Sequence, residues 1–145
     1  MNIYTIGFTQ KTAEEFFQIL DNNKIDVVVD VRLRPKGQLS GFTKQDDLRY
    51  FLKELIDSNY IYLSELAPTK EILNKFRKDK NWSNYERRFI QLLRERTVIE
   101  KLDKSLFEQN ICCLLCSEPT PDKCHRRLVG EFLAAHWEGV NIIHL

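Results

Sequence analysis

The stretch "LLCSEPTPDKCHRRLVGEFLAAHW", residues 114–137, carries the pattern that decides the fold. It passes from an apolar segment, through a turn with two prolines, into the apolar spacing of a helix. The apolar segment begins upstream as "ICCLLC" (111–116), which is typical of a parallel strand covered on both faces. The helix is predicted from about residue 123 to residue 138, where Gly139 ends it, and "VNIIHL" (140–145) predicts a closing strand.

The rest of the chain repeats this alternation of strands and helices. "IYTIGF" (3–8), "IDVVVDV" (25–31) and "YIYL" (60–63) predict three further strands. Thr12 with Glu15 forms a capping box that predicts a helix between the first two strands. Further helix starts are predicted at Thr43, at Thr69, at Ser83 with Glu86, and at Thr97 with Glu100. We therefore predict a single α/β domain over residues 1–145, with a mostly parallel sheet of about five strands and helices on both faces.

Composition narrows the classes of partner. The 145 residues include 22 Lys and Arg against 21 Asp and Glu, so no global field draws the chain onto nucleic acid or an anionic membrane. A local basic patch for nucleic acid stays open. No apolar stretch approaches the ~20 residues of a membrane span, and "MNIYTIGFTQ" lacks the pattern of a signal peptide. All four cysteines lie between Cys112 and Cys124, unlike a secreted disulfide framework. We predict a cytoplasmic protein with reduced thiols and no membrane partner, and leave its oligomeric state open.

Polar residues follow the apolar runs at the ends of the predicted strands. Because the carboxyl ends of parallel strands share one edge of a sheet, and ligands bind beyond that edge, these residues predict a pocket. The strand ends supply Thr5, Gly7, Asp30, Arg32, Cys116, Glu118 and His144. Two plainer interpretations stay open: strands commonly end in polar loops, and Asp30 with Arg32 is equally typical of an ion pair that holds a loop.

The predicted start of the last helix favours an anion. Asp122 is the expected N-cap, and the unpaired N–H groups of the first turn carry partial positive charge. Cys124 and His125 flank the buried stripe of this helix, whereas Arg126 falls nearly opposite it, unless the first turn bends Arg126 towards the pocket. A small anionic molecule, a phosphate or a nucleotide is the expected ligand.

Cys116, Glu118 and His125 are the candidate catalytic residues. A cysteine at a strand end opposite a helix N-terminus suits a thiolate nucleophile, and Glu118 or His125 suits proton transfer. The alternatives are that Cys116 is a small core residue and that Glu118 is solvated or paired with Arg126 or Arg32. The layout resembles cysteine phosphatases and rhodaneses, but the Cys116–Arg126 spacing and the two prolines argue against membership.

A metal site is a further hypothesis. Cys116, Cys124, His125 and His144 are the candidate ligands, yet C-x7-C-H lacks the short cysteine spacing of structural zinc sites. Cys124 and His125 would also diverge by about 100° on a helix. We therefore expect no cofactor, and keep a structural zinc site on Cys116 and Cys124 as an alternative.

Seven short motifs carry a resemblance to a known family. They are "YTIGFT", "DVR", "GF" (41–42), "LAPT", "LLCSE", "CHRRL" and the terminal "HL", in this order along the chain. The sequence resembles the domain of unknown function 488 family, in its short single-domain subgroup. The resemblance implies a compact α/β domain of bacterial or archaeal type and no stated activity. Its signature residues coincide with the candidate site.

Together these observations predict an enzyme, a hydrolase or transferase, with an anion-binding pocket at the carboxyl ends of the sheet. A nucleotide or nucleic-acid-derived substrate is the expected class. The catalytic candidates are Cys116, Glu118 and His125. The substrate-binding candidates are Thr5, Gly7, Asp30, Arg32, Cys124, Arg126 and His144. The alternative is a non-catalytic module for a ligand or partner, in which the charged residues only hold the loops together.

Overall fold

A computed structural model describes all 145 residues and has a five-stranded, all-parallel sheet with strand order β3-β2-β4-β1-β5. The strands are β1 (Asn2–Gly7), β2 (Val27–Asp30), β3 (Asn59–Tyr62), β4 (Cys112–Cys116) and β5 (Asn141–His144). The helices are α1 (Ala13–Asn22), α2 (Gln45–Ile56), α3 (Lys70–Asp79), α4 (Trp82–Glu95), α5 (Val98–Lys101), α6 (Lys104–Gln109) and α7 (His125–His136). Short 3-10 turns cover Gln38–Thr43 and Ser64–Leu66.

The apolar strand β4 is the centre of the sheet. Every residue of Cys112–Cys116 is buried, as expected for a strand with a neighbour on each side and helices above and below. β4 pairs with β1 on one side and with β2 on the other, so β1 and β2 are parallel but not adjacent. The carboxyl end of β4 therefore lies in the middle of the edge where a ligand is expected.

Alternation along the strands divides the core into two layers, which confirms helices on both faces of the sheet. Val29 and Leu114 face the larger layer, which α3 to α7 cover. Val28, Cys113 and Leu115 face the smaller layer, which α1 and α2 cover. Cys112 and Cys113 thus point into opposite layers because they are neighbours on a strand.

Two of the predicted helix caps are confirmed. The Thr12 hydroxyl accepts a hydrogen bond from the Glu15 N–H at 3.1 Å. The Thr69 hydroxyl accepts one from the Ile72 N–H at 3.2 Å. Both threonines precede their helices in extended backbone, as an N-cap requires.

Two other predicted helix starts are wrong, and at Thr97 the start is right but the predicted cap is not. The N-cap of α2 is Lys44, because the Thr43 hydroxyl instead donates to the Ser40 carbonyl at 2.7 Å. Asn81 caps α4, two residues before the predicted position at Ser83. Thr97 has left-handed backbone with φ 51° and makes no side-chain cap, and the helix predicted after it is divided into α5 and α6.

None of these helices is long and apolar enough to cross a membrane.

Candidate active site

A cavity of about 400 Å³ opens beyond the carboxyl ends of β2 and β4. Its floor contains Cys116 at the end of β4 and Cys124 and His125 at the start of α7. Its walls come from the segment after β2, from α3 and from the start of α4. The other lining residues are Arg32, Leu33, Arg34, Pro68, Leu73, Phe76, Arg77, Lys80, Trp82, Tyr85, Ser117, Glu118 and Lys123.

Cys116 and His125 form a thiol–imidazole pair on this floor. The Cys116 Sγ lies 3.5 Å from His125 Nδ1, and Cys116 is 5% exposed. His125 Nε2 lies 2.6 Å from the Val31 carbonyl oxygen, which can only accept, so Nε2 carries the proton and donates. In the neutral ring Nδ1 is then the unprotonated nitrogen, and the sulfur lies 3.5 Å from Nδ1 and 3.7 Å from Nε2.

Cys124 completes the cluster and reverses one expectation. Cys124 is the N-cap of α7 and has extended backbone (φ −135°, ψ 136°), so it does not share the helical rotation that would turn it away from His125. The ligand atoms of Cys116, Cys124 and His125 all lie within 4.8 Å of one another. The expected helical divergence, which would make ligation of one ion by Cys124 and His125 awkward, is therefore absent.

The polar surroundings shift the pKa values of the Cys116 and Cys124 thiols in opposite directions. A hydrogen bond from the Cys124 thiol, with the Ser117 N–H and the charge of Arg126, lowers the pKa of Cys116 against the effect of burial. The same hydrogen bond and burial raise the pKa of Cys124. Of the two thiols, Cys116 is therefore the more acidic.

The start of α7 differs from the prediction. The helix begins at His125, not near residue 123, and Asp122 lies in the exposed turn before it rather than at the N-cap. Arg126 in the first turn is 0% exposed, so it does not point away from the core. It donates to the Glu118 carbonyl oxygen at 2.7 Å and to Thr5 Oγ1 at 3.3 Å, and its Nη2 has no partner.

Gly7 and the loop after β4 are in direct contact. A Cβ added to Gly7 would lie 1.6 Å from the Glu118 carbonyl oxygen, so only glycine fits here. The Glu118 side chain is exposed and lines the cavity. Its carboxylate forms no salt bridge with Arg126 or Arg32.

Asp30 and Arg32 form a buried ion pair that fixes the segment after β2. The Arg32 Nη2 donates to Asp30 Oδ2 at 2.7 Å and to the Thr43 carbonyl oxygen at 2.7 Å. The Tyr60 hydroxyl donates to Asp30 Oδ2 at 2.6 Å, and burial and this hydrogen bond raise the pKa of Tyr60. Arg32 touches the cavity, but its guanidinium is already paired, and Asp30 does not reach the cavity.

Thr5 and His144 lie at the other end of the same edge. Thr5 Oγ1 is 2.7 Å from His144 Nδ1, and neither residue lines the cavity. Burial and the nearby charge of Arg126 lower the pKa of His144. The predicted site residues thus divide: Arg32, Cys116, Glu118, Cys124 and His125 meet in the cavity, and Thr5, Gly7, Asp30, Arg126 and His144 pack behind it.

The sequence prediction missed the cationic wall. Arg34, Arg77, Lys80 and Lys123 line the cavity, and all are exposed. Arg77 and Lys80 come from the end of α3, where "KFRKDK" is a recognisable basic run, but only the packing of α3 over the sheet edge brings it to the site. Trp82, expected to pack, does stack on Tyr85 with ring centroids 5.0 Å apart, and both also line the cavity.

Comparison with known families decides the relationship of the chain. Residues 12–133 match the family described as Domain of unknown function DUF488. The chain belongs to the DUF488 family. The DUF488 match includes the entire cavity and excludes β1 and β5, with Thr5, Gly7 and His144. Comparison of this DUF488 chain with curated proteins and with solved structures gave no match.

Proposed function

We propose that this protein is an enzyme, a hydrolase or transferase, that binds a nucleotide or similar small anionic substrate in the cavity. The reaction would take place at the floor of the cavity, which Cys116, Glu118 and His125 all line. The observation that carries the proposal is a cavity with unpaired cations in its wall and proton-transferring groups at its floor.

The charges of the wall support an anionic substrate. Arg34, Arg77, Lys80 and Lys123 form no salt bridge with any carboxylate of the chain. Glu118 is the only acidic residue that lines the cavity, although the chain as a whole carries a net charge of only +1. Cations concentrated in a cleft raise the local concentration of anions.

Two further features support phosphate and base recognition. α7 begins at the floor with no side-chain cap, so the N–H groups of its first turn add partial positive charge. Phe76 and half-buried Trp82 provide an aromatic wall on the side of α3 and α4. Phosphates would bind the cations, and a base would pack against the aromatic wall.

The floor supplies groups that can move protons. Because Nε2 donates to Val31, Nδ1 of the neutral His125 ring is free to accept a proton, and it lies 3.5 Å from the Cys116 sulfur. The Glu118 carboxylate is exposed to the cavity and has no competing partner in the protein. A base near a buried sulfur and a free carboxylate are what general acid–base catalysis of a transfer or a hydrolysis requires.

Fluorescence of Trp82 tests substrate binding. Trp82 lines the cavity, whereas Trp137 is buried against Phe107 outside it, so Trp137→Phe isolates the reporting residue. Nucleotides should change the emission in a saturable way and bind more weakly as salt rises, whereas uncharged nucleosides should bind much more weakly. Equal affinity for nucleosides and nucleotides would contradict the proposal.

Charge-removing variants give the matched control. Arg77→Gln and Lys123→Gln should each weaken nucleotide binding roughly two- to fivefold, as expected for one exposed charge contact of about 0.5–1 kcal/mol. Lys101→Gln removes an equally exposed cation on α5, away from the cavity, and should leave binding unchanged. An equal loss of nucleotide affinity in all three variants would indicate a non-specific effect of net charge and would contradict a binding site in the cavity.

A non-catalytic binding module is the second candidate, favoured by one observation. Asp30, Arg32 and Arg126 are all used inside the protein, where they hold the loops of the sheet edge together. Mass spectrometry of nucleotides incubated with the protein separates the two candidates. An enzyme should yield a product that Glu118→Gln abolishes without loss of binding or stability, since this carboxylate is exposed and unpaired. Binding without any product would favour the module.

A further inference from the structure

We infer that Cys116, Cys124 and His125 bind one thiophilic divalent metal ion, zinc, at the floor of the cavity. Their ligand atoms lie within 4.8 Å of one another, and all three side chains are buried yet line the cavity. The metal binding stands on this geometry alone; only its chemical role rests on the function proposed above.

The distances match a tetrahedral site. With Zn–S near 2.3 Å and Zn–N near 2.0–2.1 Å, a sulfur and a nitrogen ligand lie about 3.6 Å apart. Cys116 Sγ and His125 Nδ1 are 3.5 Å apart, so this pair already has the separation of two ligands. The third ligand atom, Cys124 Sγ, lies within 4.8 Å of the other two. A small rotation of the Cys124 side chain would bring it to the distance of a zinc ligand.

The orientation of His125 supports the same inference. A histidine that binds a metal through one nitrogen commonly donates its other N–H to a carbonyl or carboxylate, which sets the tautomer and the ring direction. His125 Nε2 donates to the Val31 carbonyl at 2.6 Å, and Nδ1 lies 3.5 Å from the Cys116 sulfur, which is 3.7 Å from Nε2. The hydrogen bond to Val31 therefore sets the tautomer that leaves Nδ1 as the metal-binding nitrogen.

Three protein ligands would leave one position of a tetrahedral ion open, and all three ligand residues line the cavity. His144, the remaining candidate from the sequence, is bonded to Thr5 and is not part of the cluster. Structural zinc sites have four protein ligands, whereas catalytic sites have three and an open position. The site thus has the form of a catalytic zinc site, in which Cys116 would be a ligand rather than a free nucleophile and His125 a ligand rather than a base. The ion would supply an activated water, and Glu118, the single carboxylate that lines the cavity, would remain as the proton-accepting residue.

Metal titration tests the inference. Metal-free protein, prepared with a chelator, is titrated with Zn²⁺ against a chromophoric indicator and separately with Co²⁺. We expect one ion per chain, and for Co²⁺ the intense visible bands of a tetrahedral site and a sulfur-to-cobalt charge-transfer band. Cys124→Ser and His125→Ala should weaken binding by more than about 100-fold, because even outer partners of a ligand contribute roughly 10–100-fold. Cys113→Ala removes a buried thiol outside the cluster and should bind as the wild type does.

A measurement without substitutions keeps the test independent of folding defects. Bound Zn²⁺ should protect Cys116 and Cys124 of the wild type from iodoacetamide, and a chelator should restore alkylation. Substoichiometric binding, an octahedral cobalt spectrum, or alkylation unaffected by zinc would overturn the inference. Nucleotide binding to the metal-free protein, followed through Trp82, is a separate readout. Absence of nucleotide binding in both the metal-free and the zinc-loaded protein would overturn the proposed function and leave the metal site standing, whereas nucleotide binding without zinc uptake would overturn the metal site alone.

Discussion

Replacing Gly7 by alanine should destabilise the fold and displace one wall of the cavity. The new Cβ would lie 1.6 Å from the Glu118 carbonyl oxygen and 2.6 Å from its carbonyl carbon. Both atoms belong to the backbone, so no side-chain rotation relieves the contact. The segment of Ser117 and Glu118 must move away from β1, and it carries two of the cavity-lining residues with it.

The expected cost follows from two contributions. Overpacking of a tight contact costs about 1–3 kcal/mol. The same Glu118 oxygen accepts the 2.7 Å hydrogen bond from Arg126, a fully buried cation with no carboxylate partner. Loss of a hydrogen bond to a charged group costs a further ~1.5–3 kcal/mol. Gly7→Ala should therefore lower the free energy of unfolding by about 2.5–6 kcal/mol, a large part of the roughly 5–15 kcal/mol typical of a domain.

Urea denaturation of Gly7→Ala beside Gly130→Ala measures this effect. A Cβ on Gly130 would meet only the side chain of Ile142, at 3.1 Å, which can shift. Alanine is also favoured over glycine within a helix by about 1 kcal/mol, so the control should change little. If Gly7→Ala were within about 1 kcal/mol of the wild type, the close approach of β1 and the loop would be refuted.

Two further predictions concern buried charges and thiols. Asp30→Asn leaves the buried Arg32 without its anion and should cost about 3–5 kcal/mol in urea denaturation, whereas Glu131→Gln, in an exposed pair, should cost at most about 1 kcal/mol. Burial raises the pKa of Cys112 to about 12 and also raises that of Cys113. Their folded-state pKa values exceed the unfolded ~8.5, so their contribution is complete below about pH 8.5 and is lost as pH rises towards the folded values. The urea midpoint of the wild type should therefore fall as pH rises above about 8.5. The midpoint of Cys113→Ala should fall less steeply with pH. An equal dependence on pH in the two proteins would contradict a buried Cys113 thiol.

The local elements could be predicted because their causes lie within a few residues. Thr12 and Glu15 are three residues apart, so the cap they form depends on no other part of the chain. The uninterrupted apolar run of β4 identifies a strand buried on both faces, and parallel strands place Cys116 and Glu118 at the edge where the cavity opens.

The predictions that failed depended on packing between distant segments. Asp122 was expected to cap α7, but the turn after β4 places Cys124 in that position. Arg126 was expected opposite the buried stripe, but the Glu118 carbonyl and Thr5 surround it, and both are separate from α7 along the chain. Helical rotation alone could not predict either result, because the first turn of the helix lies beneath a loop.

The sequence by itself determined the α/β class and the identity of the central strand, since both follow from apolar periodicity and chain order. It also showed that cysteine, histidine and carboxylate side chains follow the carboxyl end of that strand. The tertiary structure decided which of these groups meet. It brought Cys124 beside Cys116 and His125 because an extended residue precedes the helix. It placed Arg77 and Lys80 at the cavity because α3 packs over the sheet edge. Those contacts arise from the docking of whole elements, which no short-range pattern encodes.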